Sequence, residues 1–145
     1  MADQVTILVA EDDENDAFLL RRAFQKAGLS HPLIFTCNGQ QTVDYLRGEP
    51  PYTDRSQNPL PRLLLLDLKM PIVDGFDVLA WLKSQPGLRK LPAIVFSSSG
   101  EPEDIKKAQG LGAADFQVKP SDFSDLVRFV EELTAKWLPR GPGAA

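Results

Sequence analysis

Five side chains in this sequence are of the types that phosphoryl chemistry uses: Asp12, Asp13, Asp67, Ser97 and Lys119. Three carboxylates brought together repel one another, which raises the proton affinity of at least one. A hard, oxygen-seeking divalent cation relieves that repulsion. With a single histidine and a single cysteine in the chain, Mg²⁺ suits the set better than zinc. Water and a backbone carbonyl would complete the shell. Lys69 is placed to lend the carbonyl, since its ammonium cannot be a ligand. A carboxylate oxygen of Asp67 can then attack phosphorus and form an acyl phosphate. The cation and Lys119 would neutralise charge on the phosphoryl oxygens, and the Ser97 hydroxyl can donate to one of them.

Taken singly, each residue has a plainer role. Asp12 or Asp13 can cap a helix, and Asp67 can open the turn that runs through Pro71 to Gly75. Ser97 belongs to a polar SSSG loop, and Lys119 can face solvent. Their placement along the chain favours the joint reading. Apolar runs predict strands at Val5–Ala10, Leu33–Cys37, Arg62–Leu68, Pro92–Ser97 and Ala114–Val118. Helices are predicted over Asn15–Ala27, Gln41–Gly48, Phe76–Ser84 and Glu101–Gly110. The last begins near Asp122 and turns Phe123, Leu126, Val130, Leu133 and Trp137 toward the core.

Five repeats of strand then helix predict a doubly wound α/β fold, an open parallel sheet covered on both faces. The run RLLLLDL suits a strand buried on both sides. Ligands in such folds gather beyond the carboxyl ends of the strands. All five candidate residues fall there.

At 145 residues the chain fits one domain, read as residues 1–138 with a proline-rich loop at 48–61 and a flexible tail at 139–145. A net charge of −4 disfavours nucleic acid and anionic membrane surfaces as partners. No apolar run reaches membrane-spanning length, so a cytoplasmic location is expected. Cys37 alone can make neither an internal disulfide nor a multi-cysteine zinc site, and it reads as a small core residue.

Four motifs in order carry a family resemblance: ILVAEDDENDA, LLLLDLKMPIVDG, IVFSSSG and ADFQVKP, with 30 residues from Asp67 to Ser97 and 22 from Ser97 to Lys119. From about Val5 to Trp137 the chain resembles the receiver domain of bacterial two-component response regulators. DYLRGEPPYTD and EELTAKWLP further resemble the small single-domain regulators paired with phytochrome-type sensor histidine kinases. The resemblance implies a flavodoxin-like (βα)₅ fold with sheet order 2-1-3-4-5, and a stand-alone regulator that takes a phosphoryl group from a histidine kinase. Such a protein catalyses its own phosphotransfer and dephosphorylation without being a conventional turnover enzyme.

The resemblance also implies roles. Asp67 is the phosphorylated residue, in a Mg²⁺ pocket with Asp13 as the more direct ligand and Asp12 acting partly through water. Ser97 and Phe116 are switch positions, and Phe116, lacking a hydroxyl, would act by packing. Lys69 and Ser99 tune phosphoryl lifetime. Glu11 adds negative charge beside the metal, and Pro120 often follows a cis bond. Output would pass through protein–protein contacts, with a histidine phosphotransfer protein and a second copy of the chain as further partners. Rival readings are a phosphorelay intermediate, a Mg²⁺-dependent phosphohydrolase and a receiver-shaped binding domain. No GxGxxG follows the first strand, so dinucleotide binding is weak.

Overall fold

Four of the strands are short apolar runs cut off by polar residues, while the last, DFQV, alternates. Four of the helices start on an Asp or Asn side chain that takes up free N–H groups, and the other starts on Pro102, which has no N–H to satisfy. In the computed structural model, which describes residues 5–138, the strands are β1 (Ile7–Ala10), β2 (Leu33–Thr36), β3 (Leu63–Leu66), β4 (Ala93–Ser97) and β5 (Asp115–Val118). Between and after them lie α1 (Glu14–Lys26), α2 (Gly39–Arg47), α3 (Gly75–Lys83), α4 (Pro102–Gly110) and α5 (Phe123–Trp137), with a short 3₁₀ turn at Pro86–Leu88 before β4. All strands are parallel, in the order β2-β1-β3-β4-β5. The doubly wound fold and its expected order are therefore found. The expected tail, 139–145, lies outside the described residues. No helix among those described is long and apolar enough to cross a membrane.

The period of two along each strand divides the core. Leu8, Ala10, Leu64, Leu66 and Val95 point to one face and pack with Val43, Leu46, Val78, Leu79, Leu82 and Ala108 of α2, α3 and α4. Ile7, Val9, Leu63, Leu65, Ile94 and Phe96 point to the other, against Leu20, Phe24, Phe129, Val130 and Leu133 of α1 and α5. Phe96 and Phe129 stack with ring centroids 5.0 Å apart.

Two core assignments change. Phe123, the first residue of α5, is 36% exposed; its place belongs to Phe129, on the stripe with Leu126, Val130 and Leu133. Cys37 is exposed because β2 ends at Thr36, whose buried hydroxyl meets that of Thr42 at 2.7 Å. The one cis peptide bond among the described residues joins Pro50 to Pro51, so the bond before Pro120 is trans, contrary to the resemblance.

The loop at 48–61 is tied to α2. Gly48 ends that helix at φ 76°, a left-handed conformation that favours glycine. The Arg55 guanidinium donates to the carbonyls of Tyr45, Leu46 and Asn58, closing the open end of the helix, and the Tyr45 hydroxyl donates to the Pro59 carbonyl. The exit from β3 is equally constrained. Asp74 and Asp77 form a reciprocal cap on α3, and the Gly75 N–H donates to the Leu68 carbonyl at 2.9 Å. A Cβ on Gly75 would collide with the backbone carbonyl of Asp67, which cannot swing away as a side chain could. Gly75→Ala is therefore expected to cost about 1–3 kcal/mol, measured by urea unfolding; an unchanged midpoint would mean that this close approach constrains nothing.

Candidate functional site

Strand register lines up the site. Ala10 pairs with Leu66, and the Asp67 N–H donates to the Ala10 carbonyl at 3.0 Å, which brings Asp67 beside Glu11. Ser97 pairs with Val118, and the Lys119 N–H donates to the Ser97 carbonyl at 2.8 Å. The carboxyl ends of β1, β3, β4 and β5 thus present Glu11, Asp67, Ser97 and Lys119 along one edge.

The carboxylates of Glu11, Asp12 and Asp67 come together, each offering an oxygen within 4.8 Å of the others. Glu11 and Asp67 are buried and Asp12 is exposed at the rim. Asp13 does something else. Its Oδ1 accepts the N–H groups of Asn15 at 2.9 Å and Asp16 at 3.0 Å, making it the N-cap of α1. The acidic pair facing Asp67 is accordingly Glu11 and Asp12, one residue earlier than Asp12 and Asp13. The signal that could have found this is the helix start: a residue that must cap α1 cannot also turn back over the sheet.

The Lys119 ammonium lies among three carboxylates, 2.8 Å from Glu11 Oε1, 2.7 Å from Asp16 Oδ2 and 3.3 Å from Asp67 Oδ2. Burial works against its charge, but hydrogen bonds to Asp16 and Glu11 and the charges of Glu11 and Asp67 outweigh that, holding it well above the usual lysine range. Burial pushes the Glu11 carboxyl up to about 7; the hydrogen bond from Lys119 opposes this and the charge of Asp67 adds to it. Asp16, which ends up in the same ion cluster, was not among the residues singled out from the sequence.

The remaining predicted residues surround this core. The exposed Lys69 donates its N–H to Asp67 Oδ1 at 3.3 Å. The fully buried Ser97 accepts the Ser99 N–H at 3.2 Å, and the Ser99 hydroxyl donates to Asp104 at 3.0 Å, linking the end of β4 to α4. Phe116, on β5, is half-buried against the core beneath α3 and α4. Between β3 and α3, Ile72 is 88% exposed at φ 68°. A left-handed backbone costs a non-glycine residue roughly 1–2 kcal/mol, which marks this turn as bent by its surroundings.

A match to the response regulator receiver domain family model spans residues 7–131. The chain belongs to that family. It is 36% identical over 145 residues to the probable methanogenesis regulatory protein FilR2 of Methanothrix harundinacea, covering 99% of this chain and 91% of that one. Among solved structures it resembles the response regulator RPA3017, from red light signaling in R. palustris (TM-score 0.88, 36% identity, 92% of this chain and 94% of that one). It also resembles the phosphorylated cyanobacterial phytochrome response regulator RcpA (TM-score 0.86, 31% identity, 94% and 95%). This receiver domain is thus closely related to phytochrome-associated regulators, and family membership implies a sensor histidine kinase as partner.

An all-carboxylate donor set of this kind fits a hard divalent cation. The Asp12 carboxylate accepts no hydrogen bond among the described residues, whereas Glu11 already accepts from Lys119 and the Asp13 N–H, and Asp67 from Lys119 and the Lys69 N–H at a longer 3.3 Å each. In calorimetric Mg²⁺ titrations, Asp12→Asn is expected to weaken binding by about tenfold or more. Asp13→Asn, which keeps a good N-cap, should change it little. The reverse ranking would restore Asp13 as the ligand.

Proposed function

We propose that Asp67 accepts a phosphoryl group from a phytochrome-type histidine kinase in a Mg²⁺-dependent reaction, and that the phosphorylated protein signals through a changed protein-binding face. The observation that carries this reading is the buried Asp67 carboxylate, set between an acidic cation pocket and the Lys119 ammonium.

Asp12 and Asp67, with Glu11 behind them, would hold the cation, which when bound offsets the charge of the acids and of the incoming phosphoryl group. A carboxylate oxygen of Asp67 attacks phosphorus as the P–N bond to the kinase histidine breaks. The electron pair remains on the imidazole nitrogen, which takes up a proton, and Asp67 becomes an acyl phosphate. Lys119 supplies positive charge to the phosphoryl oxygens, and the Ser97 hydroxyl, on the neighbouring strand, supplies a hydrogen bond. Later attack by water on phosphorus releases phosphate and restores the carboxylate. The assignment of a phytochrome-type kinase draws on the likeness to RPA3017 and RcpA.

Phosphorylation adds charge and acceptor oxygens at the end of β3. Drawing the Ser97 hydroxyl toward them would disturb the Ser99–Asp104 link and the packing of Phe116, moving the face made by β4, α4 and β5.

Intact-protein mass after incubation with acetyl phosphate and Mg²⁺ tests the acceptor assignment. Wild type should gain one phosphoryl group and Asp67→Ala none; equal labelling of the two proteins would place the acceptor elsewhere. Lys69, exposed beside Asp67, would slow phosphate loss by shielding the phosphoryl group from water. Lys69→Ala is expected to lose phosphate about two- to fivefold faster, the range for exposed charge interactions. A decay as slow as that of wild type, or slower, removes this role.

A further inference from the structure

We propose that Asp16 is a positioning residue: an exchangeable counter-ion that draws the Lys119 ammonium away from Asp67 in the resting protein and yields it when a phosphoryl group arrives. The inference rests on the reading of Asp67 as the acceptor.

An ammonium group has three N–H donors. In this structure they face three carboxylates, at 2.7 Å for Asp16, 2.8 Å for Glu11 and 3.3 Å for Asp67. The shortest contact is therefore with a residue outside the acceptor site, and the longest is with the acceptor itself. A phosphoryl group on Asp67 brings about two negative charges and new acceptor oxygens within reach of Lys119. The donor aimed at Asp67 can pass to one of them, and closing that longest contact draws the ammonium away from its other two partners.

Glu11 is poorly suited to let go. Its side chain is 1% exposed, so losing the cation would leave a carboxylate shut off from water with only the Asp13 N–H as partner. The Asp16 side chain is 32% exposed and can be rehydrated. Its backbone is fixed by the Asp13 cap in the first turn of α1. Its carboxylate has no other partner among the described residues. Asp16 therefore competes with the phosphoryl group for one cation, across 103 residues of sequence.

Beryllofluoride, a phosphoryl mimic, titrated in the presence of Mg²⁺ and followed by fluorine-19 NMR, tests this. Asp16→Asn is expected to tighten binding by about two- to fivefold, the range for a partly exposed charge pair, while Asp16→Glu stays near wild type. In a Lys119→Met background the gain should vanish, because the effect runs through the ammonium and not through bulk charge. Thermal unfolding checks that the variants are folded, and Asp16→Ser serves as a second neutral variant. Unchanged or weaker binding in both neutral variants overturns the proposal, as does the same gain without Lys119. Failure of wild type to bind the mimic at all would overturn the acceptor reading itself, and this inference with it.

Discussion

One buried ammonium group holds the carboxyl end of this sheet together. Without Lys119, the carboxylates of Glu11 and Asp67 would face each other in a region largely closed to water. Removing one partner of such a buried cluster costs far more than the cluster contributes when complete. With Lys119 in place, two acids separated by 56 residues can occupy adjacent strand ends, as Glu11 and Asp67 do. The price is a site strongly biased toward negative charge. That bias makes it attractive to a divalent cation and responsive to a phosphoryl group, since either one redistributes the same few charges.

The rest of the fold keeps those charges from relaxing apart. Parallel pairing sets Ala10 against Leu66 and Ser97 against Val118, so Glu11, Asp67 and Lys119 each emerge one step beyond a paired strand residue, beside Ser97 at the last pair of β4 and β5. Leu63 to Leu66 are covered on both faces, which anchors the strand that ends in Asp67. On its far side the acceptor is braced by Gly75, whose missing side chain lets α3 start against the Asp67 backbone. A rigid frame around a crowded electrostatic site suits a switch: small changes in charge move side chains at the rim while the strands remain fixed.

Much of this was legible in the residues. Alternating apolar runs and helical stripes specify five strand–helix units, and the leucine run specifies a strand buried on both sides. Asp67, Ser97 and Lys119 were identifiable because each follows the last apolar residue of a strand. The acidic pair was harder. Glu11, Asp12 and Asp13 are consecutive carboxylic acids, and deciding which two face Asp67 requires knowing which one caps α1, a question of a single residue in register. Its place at the very start of α5 likewise separates Phe123 from Phe129, and the point where β2 ends separates Thr36 from Cys37. The Asp16–Lys119 pair and the capping of α2 by Arg55 lie beyond local pattern. The first joins distant strand and helix ends, and the second depends on how a proline-rich loop doubles back.

The most direct test of the account is a crystal structure of the protein with Mg²⁺ and beryllofluoride. It should show beryllium on a carboxylate oxygen of Asp67, the cation against Asp12 and Asp67, and the Lys119 ammonium on a fluoride. Beryllofluoride bound away from Asp67, or a cation held by Asp13 with Lys119 turned to solvent, would contradict it.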